Sequence, residues 1–184
     1  MKEKITNQAL RLLKKEGLKS FSMRKLAEKL SIDPMTIYYY FKNKDQLLAE
    51  LVDVVFRKFY ERLQLEEGRA KEKEKLESVL FEYRSFFIQY IDLSLYLIQS
   101  PNEESPAVKL LNDLILDLIQ NSRPYENPEL TRDILIDFIH GNALSVSNKP
   151  RKGSKVRANQ NQTDSFRESL QILLNRLFYN SRLT

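Results

Sequence analysis

A short segment of the sequence places two large side chains where they could contact a nucleic acid. The segment begins at Pro34, a residue type that helices favour at their first position. With 100° of rotation per residue, Ile37 and Phe41 lie about 40° apart, so both can face a core. Met35 and Tyr39 then project about 160° and 200° away from Ile37. The pattern predicts a helix that packs through one face and offers the opposite face to a partner.

The outward side chains of this helix suit the major groove of double-stranded DNA. A helix in that groove contacts base edges with its central outward residues and backbone phosphates with its flanks. Met35 and Tyr39 are therefore candidate base contacts, through thymine methyl groups and ring packing, whereas Thr36 and Tyr38 offer hydroxyl groups to phosphates. The three consecutive tyrosines could instead be a packing cluster, but consecutive helical positions cannot all face one core.

A second feature that favours anions follows directly in the sequence. Asn43 is a good helix N-cap, and Gln46, three residues later, can reach back to complete a capping box. The helix that starts here leaves free backbone N–H groups at its N-terminus, and Lys44 adds a cation next to them. We expect this helix start to bind a phosphate.

The elements that position these residues are all predicted to be helices. Glycine is scarce, at four residues, and alternating valine-rich runs are absent, so we expect no strands. Asp33, Ser105 and Asn127 each precede a proline, a pattern that marks a helix start. Apolar periodicity predicts helices over residues 3–16, 23–30, 34–41, 44–65, 106–120, 128–146 and 164–179, and one over residues 76–97 that bends near Asp92. The sequence predicts an all-α fold.

Two polar segments are predicted to connect these helices. Residues 66–75 form a charged link. Residues 148–162 are polar and basic and lack apolar periodicity, so we expect a mobile loop there.

The net charge of +5 is concentrated at the N-terminal end. Residues 1–50 hold 11 Lys and Arg against 6 Asp and Glu, whereas residues 51–184 hold 19 of each. A basic end joined to a body without excess positive charge favours nucleic acid binding by the first part of the chain. The alternative is a helical protein that docks its basic end on an acidic membrane surface or on a protein partner.

Catalysis and metal binding are not expected, because the residue types that support them are scarce. The absence of cysteine excludes a disulfide framework, a zinc finger and a thiol nucleophile. One histidine and no glycine-rich phosphate loop leave few acid–base or nucleophilic combinations. Asp133, Asp137 and His140 have a spacing that could hold a metal, but such a set is more often a polar helix face. We therefore expect neither an enzyme nor a bound cofactor.

The expected location is the cytoplasm. The first residues lack the unbroken apolar stretch of a secretory signal. No window approaches the 18 or so apolar residues that a membrane helix needs, since aspartates interrupt the most apolar parts.

The stretch FSMRKLAEKLSIDPMTIYYYFKNKDQLL resembles the helix-turn-helix motif of TetR-type transcriptional regulators. The resemblance covers residues 5–50 and is greatest to the tetracycline-repressor branch, which shares the RKLA stretch at 24–27 and the KNK stretch at 42–44. It implies an N-terminal three-helix helix-turn-helix domain for DNA binding over residues 1–46. It also implies a C-terminal helical domain for effector binding and dimerisation over residues 47–184.

Carried over to matching positions, the resemblance implies roles for eight residues. Arg24 would reach a guanine or a nearby phosphate. The others would contact bases (Pro34, Met35 and Tyr39), phosphates (Thr36, Tyr38 and Lys44) or the DNA backbone (Tyr40, where the family usually has histidine). Two departures stand out. Ser31 replaces the usual turn glycine, so it must tolerate the turn backbone, and Met35 and Tyr40 are unusual, which leaves the operator sequence open.

The second part of the chain resembles the family in architecture only. The resemblance implies a homodimer through the helices at 128–146 and 164–179, a palindromic operator, and a repressor that a small-molecule effector releases from DNA. An aromatic-rich segment and the single histidine are candidates for the effector site: Tyr83, Phe86, Phe87, Tyr90, Tyr96 and His140. These rings could equally be ordinary core.

Overall fold

The computed structural model describes residues 1–65, 71–100, 105–122, 127–147 and 155–179. For residues 155–161 and 179 it describes the backbone but not the side chains. Within these ranges the chain forms helices and no strands, as the sequence predicted. The helices are α1 (Lys2–Glu16), α2 (Met23–Leu30), α3 (Pro34–Tyr40), α4 (Lys44–Leu65), α5 (Glu72–Gln89), α6 (Ile91–Gln99), α7 (Pro106–Ser122), α8 (Pro128–Ser147) and α9 (Lys155–Tyr179).

Side chains cap the helices where the sequence predicted helix starts. The Met35 backbone N–H donates to Asp33 Oδ1 over 2.7 Å at the start of α3. At the start of α4, the Gln46 N–H donates to Asn43 Oδ1 over 2.8 Å, and Gln46 Oε1 accepts from the Lys42 N–H over 2.6 Å. The glutamine thus reaches back one residue further than a standard capping box. These bonds satisfy backbone donors that a helix start otherwise leaves unpaired.

The turn between α2 and α3 contains a serine in the left-handed conformation. Ser31 has φ 53° and ψ 44°, and its N–H donates to the last carbonyls of α2. A side chain costs roughly 1 kcal/mol in this region relative to glycine. The Ile32 N–H closes the turn onto the Ala27 carbonyl over 3.1 Å, so the hydrogen bonds of the turn form without the usual glycine.

The chain divides into two compact units. The first unit comprises residues 1–66 and 90–111, and the second comprises residues 67–89 and 112–184. The core of the first unit draws one or two fully buried side chains from each of α1 to α4: Ile5, Leu26, Ile37, Leu47 and Leu51. Burial of each contributes about 1.5–3 kcal/mol. The second unit has its own core, to which α5, α8 and α9 contribute Leu80, Leu135, Ile139, Phe166 and Leu170.

Two predictions about the second half of the sequence need correction. The helix predicted over residues 76–97 is two helices, because the chain breaks at Tyr90, which has φ −115° and ψ 37°. The predicted loop over residues 148–162 is wrong from Lys155 onward, where α9 begins. Residues 148–154 lie outside the described part. The segment from Lys155 is rich in Lys, Arg, Ala and Gln, which favour helices, and lengthening an existing helix requires no new nucleus.

Of the predicted charged link at 66–75, residues 72–75 belong to α5, and residues 66–70 are not described. None of the helices in the described ranges is both long and apolar enough to cross a membrane.

Candidate nucleic-acid interface

Helix α3 exposes the two side chains that the sequence predicted to face outward. Met35 is 70% exposed and Tyr39 is 83% exposed, although both are large and partly apolar. Ile37 and Phe41 are 0% and 1% exposed, and they hold α3 against the rest of the first unit. Isolated exposed apolar residues are common, but two on the outer face of one seven-residue helix form a compact contact surface.

The flanks of α3 carry the predicted hydroxyl groups. Tyr38 is 40% exposed, and Thr36 and Tyr40 are half-buried. The rings of Tyr39 and Tyr40 meet edge to face with their centroids 5.0 Å apart. Pro34 is half-buried at the start of α3, and Arg24 is exposed on α2.

The Lys44 ammonium group is partly engaged by backbone carbonyls of the protein itself. Its ammonium group donates to the Leu18 carbonyl over 3.3 Å and to the Phe21 carbonyl over 3.1 Å. It also lies 5.6 Å from the centre of the Phe21 ring. Two of its three N–H bonds therefore hold the α1–α2 connection against the start of α4, which leaves one for a phosphate. These carbonyls are 23 and 26 residues away in the sequence, so the Lys-Asn-Lys motif does not reveal them.

Lys42 is a further basic residue of this surface that the sequence reasoning did not single out. It is exposed in the connection between α3 and α4, and among the described residues its ammonium has no hydrogen-bond or ion-pair partner. The available signal was its place as the first lysine of Lys-Asn-Lys. Its backbone N–H is bound to Gln46, so only the side chain is available to DNA.

The six residues proposed for an effector site fall in two places. In the second unit, the Tyr83 hydroxyl and His140 Nε2 share a hydrogen bond of 2.8 Å, and the Phe87 and His140 ring centres are 4.5 Å apart. Phe86 is also buried in this unit. Tyr90 and Tyr96 belong to the first unit. The structure therefore brings together Tyr83, Phe87 and His140.

Burial shifts the titration of both members of the Tyr83–His140 pair. Desolvation raises the pKa of the Tyr83 phenol well above its ordinary value. Desolvation also lowers the pKa of His140 below 6.5, against an opposing effect of the Asp137 carboxylate. Both groups are therefore neutral near pH 7. A neutral imidazole has one nitrogen that donates and one that accepts, so it suits a hydrogen bond to a phenol.

Tyr96 lines an open cavity instead. Its hydroxyl donates to the Asp45 carbonyl over 3.3 Å, and its ring forms part of the wall of a cavity of about 390 Å³ between α4, α6 and the start of α7. All residues that line this cavity belong to the first unit. The sequence did not predict it, because it depends on residues about 50 positions apart meeting in space.

Arg84 is a buried cation that the sequence analysis also missed. It is 4% exposed, its Nε donates to Asn142 Oδ1 over 2.6 Å, and its guanidinium lies 4.5 Å from the centre of the Phe166 ring. No carboxylate of the described residues lies within ion-pair distance. Burial accordingly lowers the pKa of Arg84. In the sequence, Arg84 is one polar position of an amphipathic helix, and nothing in the residues around it indicates that its side chain is buried.

The three residues with metal-like spacing do not form a metal site in the described part of the chain, where no group of three or more suitable ligands occurs. Asp133 is exposed and its Oδ1 accepts from Arg132, and Asp137 is exposed. His140 bonds to Tyr83.

The two helices proposed for dimerisation retain exposed apolar side chains. Leu130 and Ile134 on α8 are 55% and 40% exposed, and Ile172 on α9 is 57% exposed. Gly141 lies on the exposed side of α8, and a Cβ atom built there would meet nothing within 4 Å among the described residues.

Comparison with known proteins finds sequence relatives for the N-terminal part of the chain. The sequence profile of "Bacterial regulatory proteins, tetR family" matches residues 5–51. An uncharacterized HTH-type transcriptional regulator of Haemophilus influenzae is 46% identical over 57 residues, which are 31% of this chain and 30% of that protein. The matched stretch thus spans less than a third of this curated relative, and it is confined to about a third of the present chain.

Solved structures extend the similarity to the whole fold. BioQ with its natural double-stranded DNA operator superposes with a TM-score of 0.73 at 18% identity, over 96% of this chain and 97% of that one. The Streptomyces coelicolor TetR family protein ActR in complex with actinorhodin superposes with a TM-score of 0.73 at 22% identity, over 100% and 99%. At these identities the superpositions establish the fold alone. The matching profile describes regulatory proteins, and the curated relative is described as a transcriptional regulator. Residues 5–51 therefore carry the sequence pattern of the tetR family of bacterial regulatory proteins, and the chain as a whole has the fold of the BioQ and ActR structures.

Proposed function

We propose that this protein is a ligand-responsive repressor that binds a palindromic DNA operator as a homodimer. The observation that carries the proposal is the exposure of Met35 and Tyr39 on the outer face of α3, while Ile37 and Phe41 hold its inner face. A short helix with this exposure fits between the two backbones of a major groove. Because the target is DNA, we expect the protein to act in the cytoplasm.

The DNA-binding part is proposed to be residues 1–46. Pro34, Met35 and Tyr39 would contact bases, and Arg24 a guanine or a nearby phosphate. The hydroxyl and ammonium groups around them would bind the backbone: Thr36, Tyr38, Tyr40 and Lys44. The hydrogen bonds from the Lys44 ammonium to the Leu18 and Phe21 carbonyls support this role indirectly, because they fix the start of α4 close to the surface formed by α3.

The homodimer is proposed to form through α8 and α9. Leu130, Ile134 and Ile172 supply apolar surface, and Gly141 allows two backbones to approach closely. A two-fold axis would place the two α3 helices about one turn of DNA apart, roughly 34 Å, and would therefore require a palindromic operator.

Residues 47–184 are proposed to bind a small-molecule effector. Aromatic side chains with a few polar groups are typical of such sites, and the candidates remain Tyr83, Phe86, Phe87, Tyr90, Tyr96 and His140. BioQ has been solved with DNA and ActR with actinorhodin, so this fold accommodates both kinds of ligand. An effector would shift the population between DNA-competent and DNA-incompetent arrangements of the two α3 helices. The long helix α4, which begins beside the α3 surface, would transmit the change.

Selection of bound duplexes from a random DNA pool tests the proposal. We expect palindromic sequences whose half-site centres lie about 10 base pairs apart. Binding should weaken steeply with salt, with a logarithmic slope of about −0.9 per phosphate contact. A double variant, Met35→Ala with Tyr39→Ala, should lose the selected sequence. Selection of no consensus, or equal binding by the double variant, would contradict the assignment of α3.

A further inference from the structure

The cavity beside the N-terminal half of α4 has the size of a small-molecule site. It encloses about 390 Å³, within the range of pockets that hold organic ligands. Its described lining comes from α4, α6, Ser100 and the start of α7 and combines apolar with polar side chains. The apolar ones are Ala49, Val52, Leu97 and Pro106, and the polar ones are Gln46, Glu50, Asp53, Tyr96, Ser100 and Ser105. None of these residues except Tyr96 was among the expected effector contacts, so the cavity is a separate candidate site.

The charge of this lining is negative. Glu50 and Asp53 lie three residues apart on α4, and the described residues that line the cavity include no lysine, arginine or histidine. The partners of the two carboxylates approach from solvent: Lys2 Nζ lies 2.7 Å from Glu50 and Arg57 Nη2 lies 2.8 Å from Asp53. The side chains of Lys2 and Arg57 are 50% and 47% exposed, so water and salt weaken both ion pairs.

The two carboxylates differ in how fully their oxygens are occupied. Asp53 Oδ1 accepts from the Ser105 hydroxyl over 2.8 Å and from the Ala107 N–H over 3.0 Å, and its Oδ2 accepts from Arg57. Burial opposes ionisation of Asp53, but these hydrogen bonds outweigh it and lower its pKa. Glu50 is in direct contact with Lys2, and its charge also acts at longer range on Arg57, but no hydrogen bond from the described residues occupies its second oxygen. Glu50 is therefore the carboxylate that a ligand can use, and Asp53 supplies a fixed negative charge beside it.

We propose that this cavity binds a small organic cation, an amine or an amidinium, whose N–H groups replace Lys2 at Glu50. An amidinium pairs with a carboxylate through two parallel hydrogen bonds inside a partly enclosed space, which is stronger than an exposed lysine pair. The occupant would break a link between α1 and α4 within the first unit. That regulatory consequence rests on the proposed function, whereas the binding itself does not.

Three probes of equal shape and different charge test the ligand class. Benzamidine is a cation, benzamide is neutral and benzoate is an anion, and each would be titrated calorimetrically into the full chain up to about 10 mM, which detects weak sites. We expect heat of binding from benzamidine alone. No binding by any probe, or equal binding by all three, would overturn the proposal.

Three variants test the position of the site. Glu50→Gln keeps the shape of the side chain and should weaken benzamidine binding about tenfold, since it removes a charge-assisted bond. Glu61→Gln removes the same charge from an exposed position of α4 outside the cavity and should have little effect. Lys2→Gln should strengthen binding about two- to threefold, because it removes the competitor for Glu50. Equal effects of Glu50→Gln and Glu61→Gln, or weaker binding in both Glu50→Gln and Lys2→Gln, would overturn the site.

The regulatory consequence is measured separately on selected operator DNA. Benzamidine should lower operator affinity in the wild type and not in Glu50→Gln. If the chain selects no DNA at all, the proposed function fails while the calorimetric result stands. If benzamidine binds at Glu50 but leaves operator affinity unchanged, the cavity is a cation site without the regulatory effect, and that part of the inference is overturned.

Discussion

Tyr39 and Tyr83 show how differently the two units use the same side chain. Tyr39 is 83% exposed on a seven-residue helix, where only Ile37 is buried within the helix itself. Tyr83 is 5% exposed on the eighteen-residue helix α5, and its hydroxyl is bound to His140. A short helix at the surface can leave most of its residues outward, whereas a long helix packed on two others leaves few. The first arrangement suits recognition of a partner, and the second suits a specific core.

The largest expected effect compares the two faces of α3. Ile37→Ala removes a fully buried side chain and should lower the free energy of unfolding by about 2–5 kcal/mol. Tyr39→Ala should change it by less than about 0.5 kcal/mol, because exposed substitutions rarely matter for stability. Urea denaturation of both variants measures the difference. A large loss from Tyr39→Ala would mean that Tyr39 is structural and not a contact surface.

A second comparison sets the two tyrosines against each other directly. Tyr83→Phe removes the hydroxyl that bonds to His140 Nε2 and should destabilise the protein by about 1–3 kcal/mol. Tyr39→Phe serves as the matched control and should be neutral, since its hydroxyl is exposed. Thermal denaturation can rank them. Equal melting temperatures for the two variants would show that water replaces the Tyr83 hydroxyl without loss.

DNA binding should separate base contacts from backbone contacts on the α3 surface. Tyr39→Ala should alter the preference among operator sequences, with losses of about 1–3 kcal/mol on the best site. Lys44→Ala should weaken binding to all sequences alike and reduce the salt slope by about 0.9. Gel shifts on the selected operator and on point variants of it measure both. Equal losses on every sequence for Tyr39→Ala would remove this distinction.

Because Lys44 also bonds to two carbonyls, Lys44→Ala should cost stability as well as affinity. Lys42→Ala is its control: this exposed lysine should affect DNA binding and leave the free energy of unfolding unchanged.

The pH dependence of stability should distinguish the second unit. Burial lowers the pKa of His140 from its ordinary value of 6.5, so below that pH the unfolded chain binds a proton that the folded chain does not. Stability therefore falls as the pH drops from about 7 through 6.5 towards the folded pKa, by at most about 1.4 kcal/mol per pH unit. His140→Gln should remove this component. Identical profiles for wild type and variant between pH 7 and 5 would show that His140 remains accessible to protons when folded.

The smallest expected effect concerns the buried cation of the second unit. Arg84 has an amide oxygen and a ring as partners but no carboxylate among the described residues. Replacement of a buried charge by an apolar side chain of similar length is often neutral or stabilising, so Arg84→Met should leave the free energy of unfolding unchanged or raise it by about 1 kcal/mol. Arg84→Lys, which keeps the charge and loses the planar contact with Phe166, should be less stable than Arg84→Met. The reverse order in urea denaturation would show that the Arg84 contacts outweigh its desolvation.

Sequence reasoning predicted most of what depends on neighbouring residues. The prolines after Asp33 and Asn127 located helix starts, because capping acts over three or four residues. The rotation angle along α3 predicted the burial of Ile37 and the exposure of Tyr39. The predicted start of the last helix was wrong, since a polar segment has no apolar periodicity even when its residues favour a helix. The same rules could not predict which candidates share a site: of the six effector candidates, Tyr83, Phe87 and His140 meet in the second unit, whereas Tyr90 and Tyr96 belong to the first.

The amino-acid sequence by itself determined most helix starts, the resemblance of residues 5–50 to TetR-type regulators and the face of α3 that points outward, because each depends on spacing within a few turns or on a motif of about 45 residues. Only the tertiary structure decided what the charged and aromatic side chains touch. It placed Lys44 on the carbonyls of Leu18 and Phe21, Arg84 in the core beside Asn142, and Glu50 at the wall of a cavity. The hydrogen bonds of Lys44 and Arg84 join residues 23 to 58 positions apart. Local periodicity does not encode which distant groups helix packing brings within hydrogen-bond distance.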